Sequence, residues 1–229
     1  TALILTTDHG FMLGEHDWWG KGVMPIYNEI AHIPMFFHHP DFKSLNGSEF
    51  NSLTQNIDLM PTFLEMNNID IPNEVQGKSI LSKLNNVSNT NIPSIYGYWG
   101  SGINITDGNY TFFWYPDNDV DKELNNYTLM PMHMRSFFSE EELQGSKLYS
   151  EFKFTKGMPV LKVPYMKKKK NQNIMSNINN TSVLFDISND PLQLNPIKDK
   201  KLIKNMKSQI FQKITELEAP KELLNRFKI

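Results

Sequence analysis

The sequence predicts an α/β fold that gives way to a smaller antiparallel sheet and a long closing helix. Three observations predict it. Near the start, two short apolar runs, Ala2–Leu5 and Ile33–Phe37, are separated by a glycine-punctuated stretch and a short amphipathic segment over Val23–Ala31. That is the strand–helix alternation of an α/β sheet. Further on, Ile95–Trp99 and Tyr110–Tyr115 are aromatic and β-branched on either side of a turn at Ile105–Asn109, which reads as an antiparallel hairpin. At the end, Leu202, Met206, Ile210, Ile214 and Leu217 recur at helical spacing with lysines opposite.

Composition sets the bounds. With 229 residues and 39% apolar content, the chain can build one sizeable core, or one large and one small. A formal net charge of -2 with both signs dispersed leaves no footprint for nucleic acid. No apolar run is long enough for a transmembrane helix, so no membrane partner is expected. Cysteine is absent, which excludes disulfides, Cys-rich zinc sites and a thiol nucleophile in this chain. The chain opens on Thr1, inside what reads as a strand, and is expected to be a fragment.

Ala2–Leu5 reads as a buried strand, and it leads into Thr6-Thr7-Asp8-His9-Gly10. Open α/β sheets bind ligands at the carboxyl ends of their strands. A carboxylate and an imidazole side by side there, Asp8 and His9, are two candidate metal ligands. Gly10 lets the backbone turn. Lys21, between Gly20 and Gly22, can reach back as a point charge toward an anion. His16, between them, is a candidate proton donor or a brace for the loop.

Taken together, Thr6–Gly10, Leu13-Gly14-Glu15-His16, Gly20-Lys21 and the strand Ile33-Pro34-Met35-Phe36-Phe37 resemble the signature of the sulfatase family, a branch of the alkaline phosphatase superfamily. Tyr27-Asn28-Glu29, Asp58–Glu65, Gly77–Leu81 and Val183–Asn195 are similar to later family patterns. The resemblance implies part of an alkaline-phosphatase-like sheet flanked by helices over residues 1–93, then a small antiparallel-sheet plus helix subdomain over 94–229. It implies that the parent protein is a metal-dependent sulfatase acting on a sulfated small molecule or sugar. Asp8 and His9 would then be metal ligands. Lys21 would be a catalytic cation and His16 a catalytic acid or a brace. The implied ion is Ca2+, with Mn2+ or Zn2+ as alternatives. The implied nucleophile is a formylglycine made from cysteine or serine in a C/S-x-P-x-R motif, which this chain lacks and which is expected in the amino-terminal half of the parent. Two alternatives stand beside this reading. One is a phosphodiester or phosphonate monoester hydrolase of the same superfamily. The other is a catalytically silent carboxyl-terminal module. Phe11, where many relatives carry a polar residue, bears on substrate preference.

The remaining elements follow in order. His32, His38 and His39 bracket the second strand and read as surface or strand-end residues, His32 standing nearest the signature. Residues 41–51 are a loop. Asp58 is expected to cap a helix whose Leu59, Phe63 and Met66 share one face, with Pro61 in its first turn. Leu84–Asn91 is rich in Asn and Ser and reads as a linker. Asp117–Asn126 and Tyr127–Phe138 read as loops, His133 and Arg135 being weaker candidates for contact with an oxyanion. The lysine run 167–170 reads as a solvated loop. Val183–Asn195 is a strand and an Asn-Asp-Pro turn in which Asp186 and Asp190 are structural. The last helix spans about Lys200–Glu218.

Overall fold

A computed structural model describes residues 1–22, 25–85, 92–116, 124–133, 135–165 and 181–227. The lysine run at 167–170, most of the predicted linker and the start of the predicted loop at 117 lie outside the described residues.

Strand β1 (Leu3–Thr6) pairs antiparallel with β4 (Met35–His38), Leu5 standing opposite Phe36. The expected strand is there, but it is not buried. Leu3, Leu5 and Phe36 are about two-thirds exposed. Alternate residues share a sheet face, and directly paired residues share it too. These three therefore form one apolar surface, which a sheet of two strands does not cover. Between them, β2 (Met12–Leu13) and β3 (Trp19–Gly20) make a hairpin closed by a 3-10 turn at Glu15–Asp17. A single helical turn, α1 (Asn28–Ala31), leads back into β4.

Helix α2 (Leu59–Met66) and helix α3 (Ile80–Asn85) follow. The face that α2 buries differs from the apolar spacing. Pro61 and Thr62 are buried, whereas Phe63 is exposed. The cause is a polar hub. Asp58 does not cap α2 with its carboxylate. That carboxylate accepts from the Gln55 amide at 3.1 Å and the Lys78 amide at 2.7 Å, and it pairs with the Lys83 ammonium at 3.0 Å. The Thr62 hydroxyl donates to the Asp58 carbonyl at 2.6 Å and accepts from the Ile80 amide at 2.9 Å. Buried polar groups must be satisfied, and this hub decides which side of α2 turns inward.

A four-stranded antiparallel sheet then forms in the order β11-β7-β6-β5. Its strands are β5 (Ser94–Tyr96), β6 (Ile103–Thr106), β7 (Tyr110–Trp114) and β11 (Val183–Asp186). The Asp107-Gly108 turn does make a hairpin, but it joins β6 to β7. Ile103–Thr106, whose Ile105 and Thr106 the sequence pattern takes into the turn, is a strand that pairs with both neighbours. A second, three-stranded sheet has β10 (Val160–Pro164) between β8 (Asn125–Thr128) and β9 (Lys147–Tyr149), with α4 (Glu140–Gln144) packed on it.

The four-stranded sheet buries both faces. On one, Ile105, Phe112 and Leu184 lie in a cross-strand row beneath Met206, Ile210 and Ile214 of α5 (Lys200–Glu216). Asp199 caps α5, its carboxylate accepting from the Lys201 and Leu202 amides. Each fully buried side chain on that stripe contributes about 1.5–3 kcal/mol, so packing, more than helix propensity, holds α5. Glu218 turns with a positive φ, and Pro220 leads into a last short helix, α6 (Lys221–Arg226). On the other face, Phe113, Tyr115 and Phe185 receive the ring of Tyr27, with centroids 5.5 and 6.2 Å from Phe113 and Phe185. The segment carrying Asp8, His9 and Lys21 is thereby fixed against a sheet built far later in the chain.

Candidate functional site

The backbone leaves β1 at Thr6 and turns through Thr7–Gly10. The Asp8 carboxylate accepts from its neighbours, the Thr7 hydroxyl at 3.3 Å and the His9 amide at 3.0 Å. Desolvation pushes the Asp8 carboxyl up. The His9 charge and the backbone amides outweigh it and hold the carboxyl below the usual carboxylate range. Asp8 is therefore an anion at neutral pH. The His9 ring is oriented by Nδ1, which stands 2.9 Å from the Gly10 carbonyl and donates to it. When the ring is neutral, that partner assigns the Nδ1–H tautomer and leaves the Nε2 lone pair free to accept a hydrogen bond; the charge that lowers the Asp8 carboxyl belongs to the protonated ring.

Lys21 comes back to this point. The β2–β3 hairpin returns the chain, and the Lys21 ammonium lies 2.5 Å from His9 Nε2. The same Nε2 is 3.3 Å from Asp8 Oδ2. A carboxylate oxygen, a ring nitrogen lone pair and an ammonium thus converge at one place at the end of β1. The arrangement can hold a cation between Asp8 and His9, and it presents a positive charge to an incoming oxyanion. The donor set fits one side of a metal site, a hard oxygen beside an imidazole nitrogen. Among the described residues no group of three or more such ligands gathers, so the described part of the chain brings together two candidate ligands, Asp8 and His9.

His16 is placed elsewhere in the loop. Its ring stacks flat on Tyr27, with centroids 3.6 Å apart and planes 5° apart. Its Nε2 lies 3.7 Å from Glu29 Oε2, and the side chain is 10% exposed. His16 and Asp17 both take positive φ, a strained backbone for such residues, and the Tyr27 stack holds the turn in it. Burial, then the Glu29 carboxylate, push the Tyr27 phenol up, so it stays protonated beside His16.

Helix α1 connects these parts. The Gly10 amide donates to the Ile30 carbonyl at 2.9 Å, directly after His9. Glu29 faces His16 at the far end of the hairpin. The Asn28 amide donates to Gln193 Oε1 at 2.7 Å, and its side chain donates to the Pro191 carbonyl at 3.1 Å. Asn56 donates to the Asp8 carbonyl at 3.2 Å, and the Gly22 amide donates to the Tyr98 hydroxyl at 3.1 Å. Sequence reading missed Glu29, Asn56, Tyr98 and Gln193 as supports. For Gln193 the available signal is its place just after the Asn-Asp-Pro turn, where Asp190 accepts from the Leu194 and Asn195 amides.

The other histidines and Arg135 lie outside this cluster. His32 is exposed at the end of α1. His39 accepts from the Asp41 amide and stacks on Phe37. His133 Nε2 is 2.8 Å from Glu142, which closes a capping box with Ser139 at the start of α4. Arg135 is exposed.

This geometry can be set beside known proteins. The chain superposes over its whole length on a solved glycosaminoglycan-locus sulfatase (TM-score 0.56, 19% identity, 40% of that chain). It superposes over 95% of its length on a solved 2-O GAG sulfatase (TM-score 0.58, 16% identity, 37% of that chain). The fold is that of a sulfatase. The family model for the carboxyl-terminal part of N-sulphoglucosamine sulphohydrolase matches residues 14–118. An N-acetylglucosamine-6-O-sulfatase of Bacteroides thetaiotaomicron is 29% identical over 158 residues, which is 62% of this chain and 27% of that protein. An arylsulfatase of Clostridium perfringens is 35% identical over 82 residues, 35% of this chain and 17% of that protein. The chain is similar to sulfatases, and the matched family model is that of a carboxyl-terminal portion. It spans about a quarter of the length of the first of these relatives.

Proposed function

We propose that this chain supplies one side of the active site of a sulfuric ester hydrolase, and that the nucleophile and the remaining metal ligands come from residues outside it. The observation that carries the proposal is the convergence of Asp8, His9 and Lys21 on one point at the end of β1. Asp8 and His9 are the residues that would hold a divalent ion, Ca2+ first and Mn2+ or Zn2+ as alternatives. Such an ion, when bound, withdraws charge from the sulfuryl oxygens and the nucleophile. The chain's own residues do the rest. Asp8 stays ionised. The Gly10 carbonyl fixes the His9 ring through Nδ1, so that Nε2 points at the anion site. Lys21, carried on a hairpin between two glycines, meets the negative charge that builds on the sulfuryl oxygens as the ester bond breaks. The mostly buried His16 side chain, stacked on Tyr27, supports bracing of that hairpin in preference to proton donation.

The substrate we propose is a sulfated sugar. Its support is the chemistry named for proteins similar to this one. One relative is an N-acetylglucosamine-6-O-sulfatase. A structural neighbour, covering 99% of this chain at a TM-score of 0.50 and 16% identity, is complexed with D-glucosamine-2-N,6-O-disulfate. The test is Lys21→Ala in the enzyme that carries both this chain and its nucleophile. Loss of one charge aimed at the transition state lowers kcat/KM on a sulfate ester by about a hundredfold, equivalent to about 3 kcal/mol. Unchanged turnover would defeat the proposal. Faster turnover of a phosphate diester than of a sulfate ester by the wild-type enzyme would move the assignment to the phosphodiesterase branch.

A further inference from the structure

A cavity of about 410 Å³ opens where β10 and β9 meet α6, lined by Asn125, Lys147, Lys162, Lys221, Glu222 and Asn225 among others. A second cavity of about 290 Å³ adjoins it, shares three lysines and Glu222 with the first, and adds Tyr149. We infer that this groove is a distal subsite for an acidic sugar residue, one further along the saccharide than the ester at Lys21. For the identity of its ligand the inference rests on the sulfated-sugar reading above.

Charge is the first argument. Glu222 is already spoken for: it accepts from the Tyr127 hydroxyl, from Asn125 at 2.8 Å and from the Lys162 ammonium at 3.1 Å. Lys162 is thereby fixed, and its ammonium lies 5.2 and 5.5 Å from the ring centres of Tyr127 and Tyr149. Lys147 and Lys221 are exposed on the rim, and neither has an ion-pair partner among the described residues. Glu151 also lines the second cavity, so three lysines face two carboxylates and the groove keeps a local excess of one positive charge on a chain whose formal net charge is -2. Ammonium groups on flexible stems suit a sulfate or carboxylate whose position varies with ring pucker and linkage.

Shape and placement are the second argument. A concave site of this size lies within the range that takes a small ligand. Pro164 on its wall is followed by Tyr165, whose ring meets Trp99 edge-on at 5.0 Å. Both rings are exposed, Trp99 by 53% and Tyr165 by 40%. The residue before Trp99 is Tyr98, which accepts from the Gly22 amide next to Lys21. The chain neighbours of an exposed aromatic pair thus touch the Lys21 hairpin on one side and the basic groove on the other. Tyr and Trp present an apolar ring with a polar handle, which suits a ligand that, like a sugar ring, is part apolar and part polar.

The experiment is titration calorimetry of the Lys21→Ala chain with a size-defined sulfated hexasaccharide, its desulfated counterpart, and an oligothymidylate of equal charge. The Lys21→Ala background keeps the result independent of turnover. The sulfated hexasaccharide is expected to bind in a salt-sensitive way, and the desulfated one at least tenfold more weakly. Lys147→Gln combined with Lys221→Gln is expected to weaken binding about five- to tenfold, with the urea unfolding midpoint unchanged because both side chains are exposed. Equal affinity of the double variant and its parent would overturn the inference, as would oligothymidylate binding as tightly as the saccharide. If hydrolysis of sulfate esters fails while lysine-dependent saccharide binding persists, the activity proposal falls and the groove stands.

Discussion

Gly10→Ala tests whether the Asp8–His9 turn is held by α1. A Cβ at Gly10 would lie 1.8 Å from the Glu29 carbonyl oxygen and 2.8 Å from its carbon, where ordinary contact begins at 3.4 Å. Both obstacles are backbone, so no side chain can swing aside. Turn and helix must separate by about 1.6 Å. That separation breaks the 2.9 Å hydrogen bond from the Gly10 amide to the Ile30 carbonyl. Overpacking costs about 1–3 kcal/mol and the lost hydrogen bond about 1 kcal/mol. The expected destabilisation is about 2–4 kcal/mol, read from urea unfolding followed by tryptophan fluorescence. Helix α1 is also tied to Gln193 through Asn28, so the turn is the part that moves, taking His9 away from Lys21. In the active enzyme a displacement of that size costs about a hundredfold in kcat. A Gly10→Ala chain that unfolds within about 0.5 kcal/mol of the parent would refute this account of how the site is held.

Three further outcomes follow from the same geometry. Asp58→Ala leaves the Lys83 ammonium and two amides without their acceptor, and is expected to cost about 3–5 kcal/mol in urea unfolding; a loss below about 1 kcal/mol would mean that the carboxylate is not the hub described. Calcium added to the chain alone should bind no more tightly than about millimolar by calorimetry, since Asp8 and His9 are only two ligands; micromolar binding would show a more complete site. Desolvation pushes the Glu222 carboxyl up, but the Tyr127 hydroxyl, its own backbone amide, Lys162 and Asn125 outweigh it and hold it below 4.5. With the folded value depressed, its stabilisation is complete above about pH 4.5 and is lost as pH falls through the folded value. Glu222→Gln should therefore flatten the acid limb of a stability–pH curve; an unaltered limb would count against the pairing.

Much of this was legible in the residues. The convergence of Asp8, His9 and Lys21 could be read because the glycines and apolar runs suggest a strand, a turn and a returning arm, and because the segment as a whole resembles the sulfatase signature. Met206, Ile210 and Ile214 could be read because a helix repeats its face every 3.6 residues. What escaped the reading depended on partners. Leu3 and Leu5 are apolar whether or not a neighbouring strand covers them, so periodicity could not show that β1 has a single partner here. Phe63 looked like a core residue until the satisfaction of Asp58 and Thr62 set the rotation of α2. Ile105 and Thr106, the end of a strand, were absorbed into the turn because Asp107-Gly108 is a strong turn signal that says nothing of where the preceding strand stops. Glu142 could have been found, since Ser139 followed by Glu three residues later is a capping-box pattern.

The support of the Asp8–His9–Lys21 cluster shows why its geometry is a property of the whole chain. Four residues cannot hold a helix by themselves, because nucleation costs more than one turn of hydrogen bonds returns. Helix α1 exists because three separate segments use it: the turn after His9 through Gly10, the hairpin tip through His16, and the Asn-Asp-Pro turn through Gln193. The last of these lies 165 residues away along the chain. Gln193 is 2% exposed and takes a positive φ, a conformation that the Asp190 turn must hold. The turn in turn continues from β11, whose Phe185 receives Tyr27 from the opposite side. Tyr27 carries His16, and the hairpin under His16 carries Lys21. The position of one ammonium relative to one imidazole is thus set by packing against strands that form at the other end of the sequence.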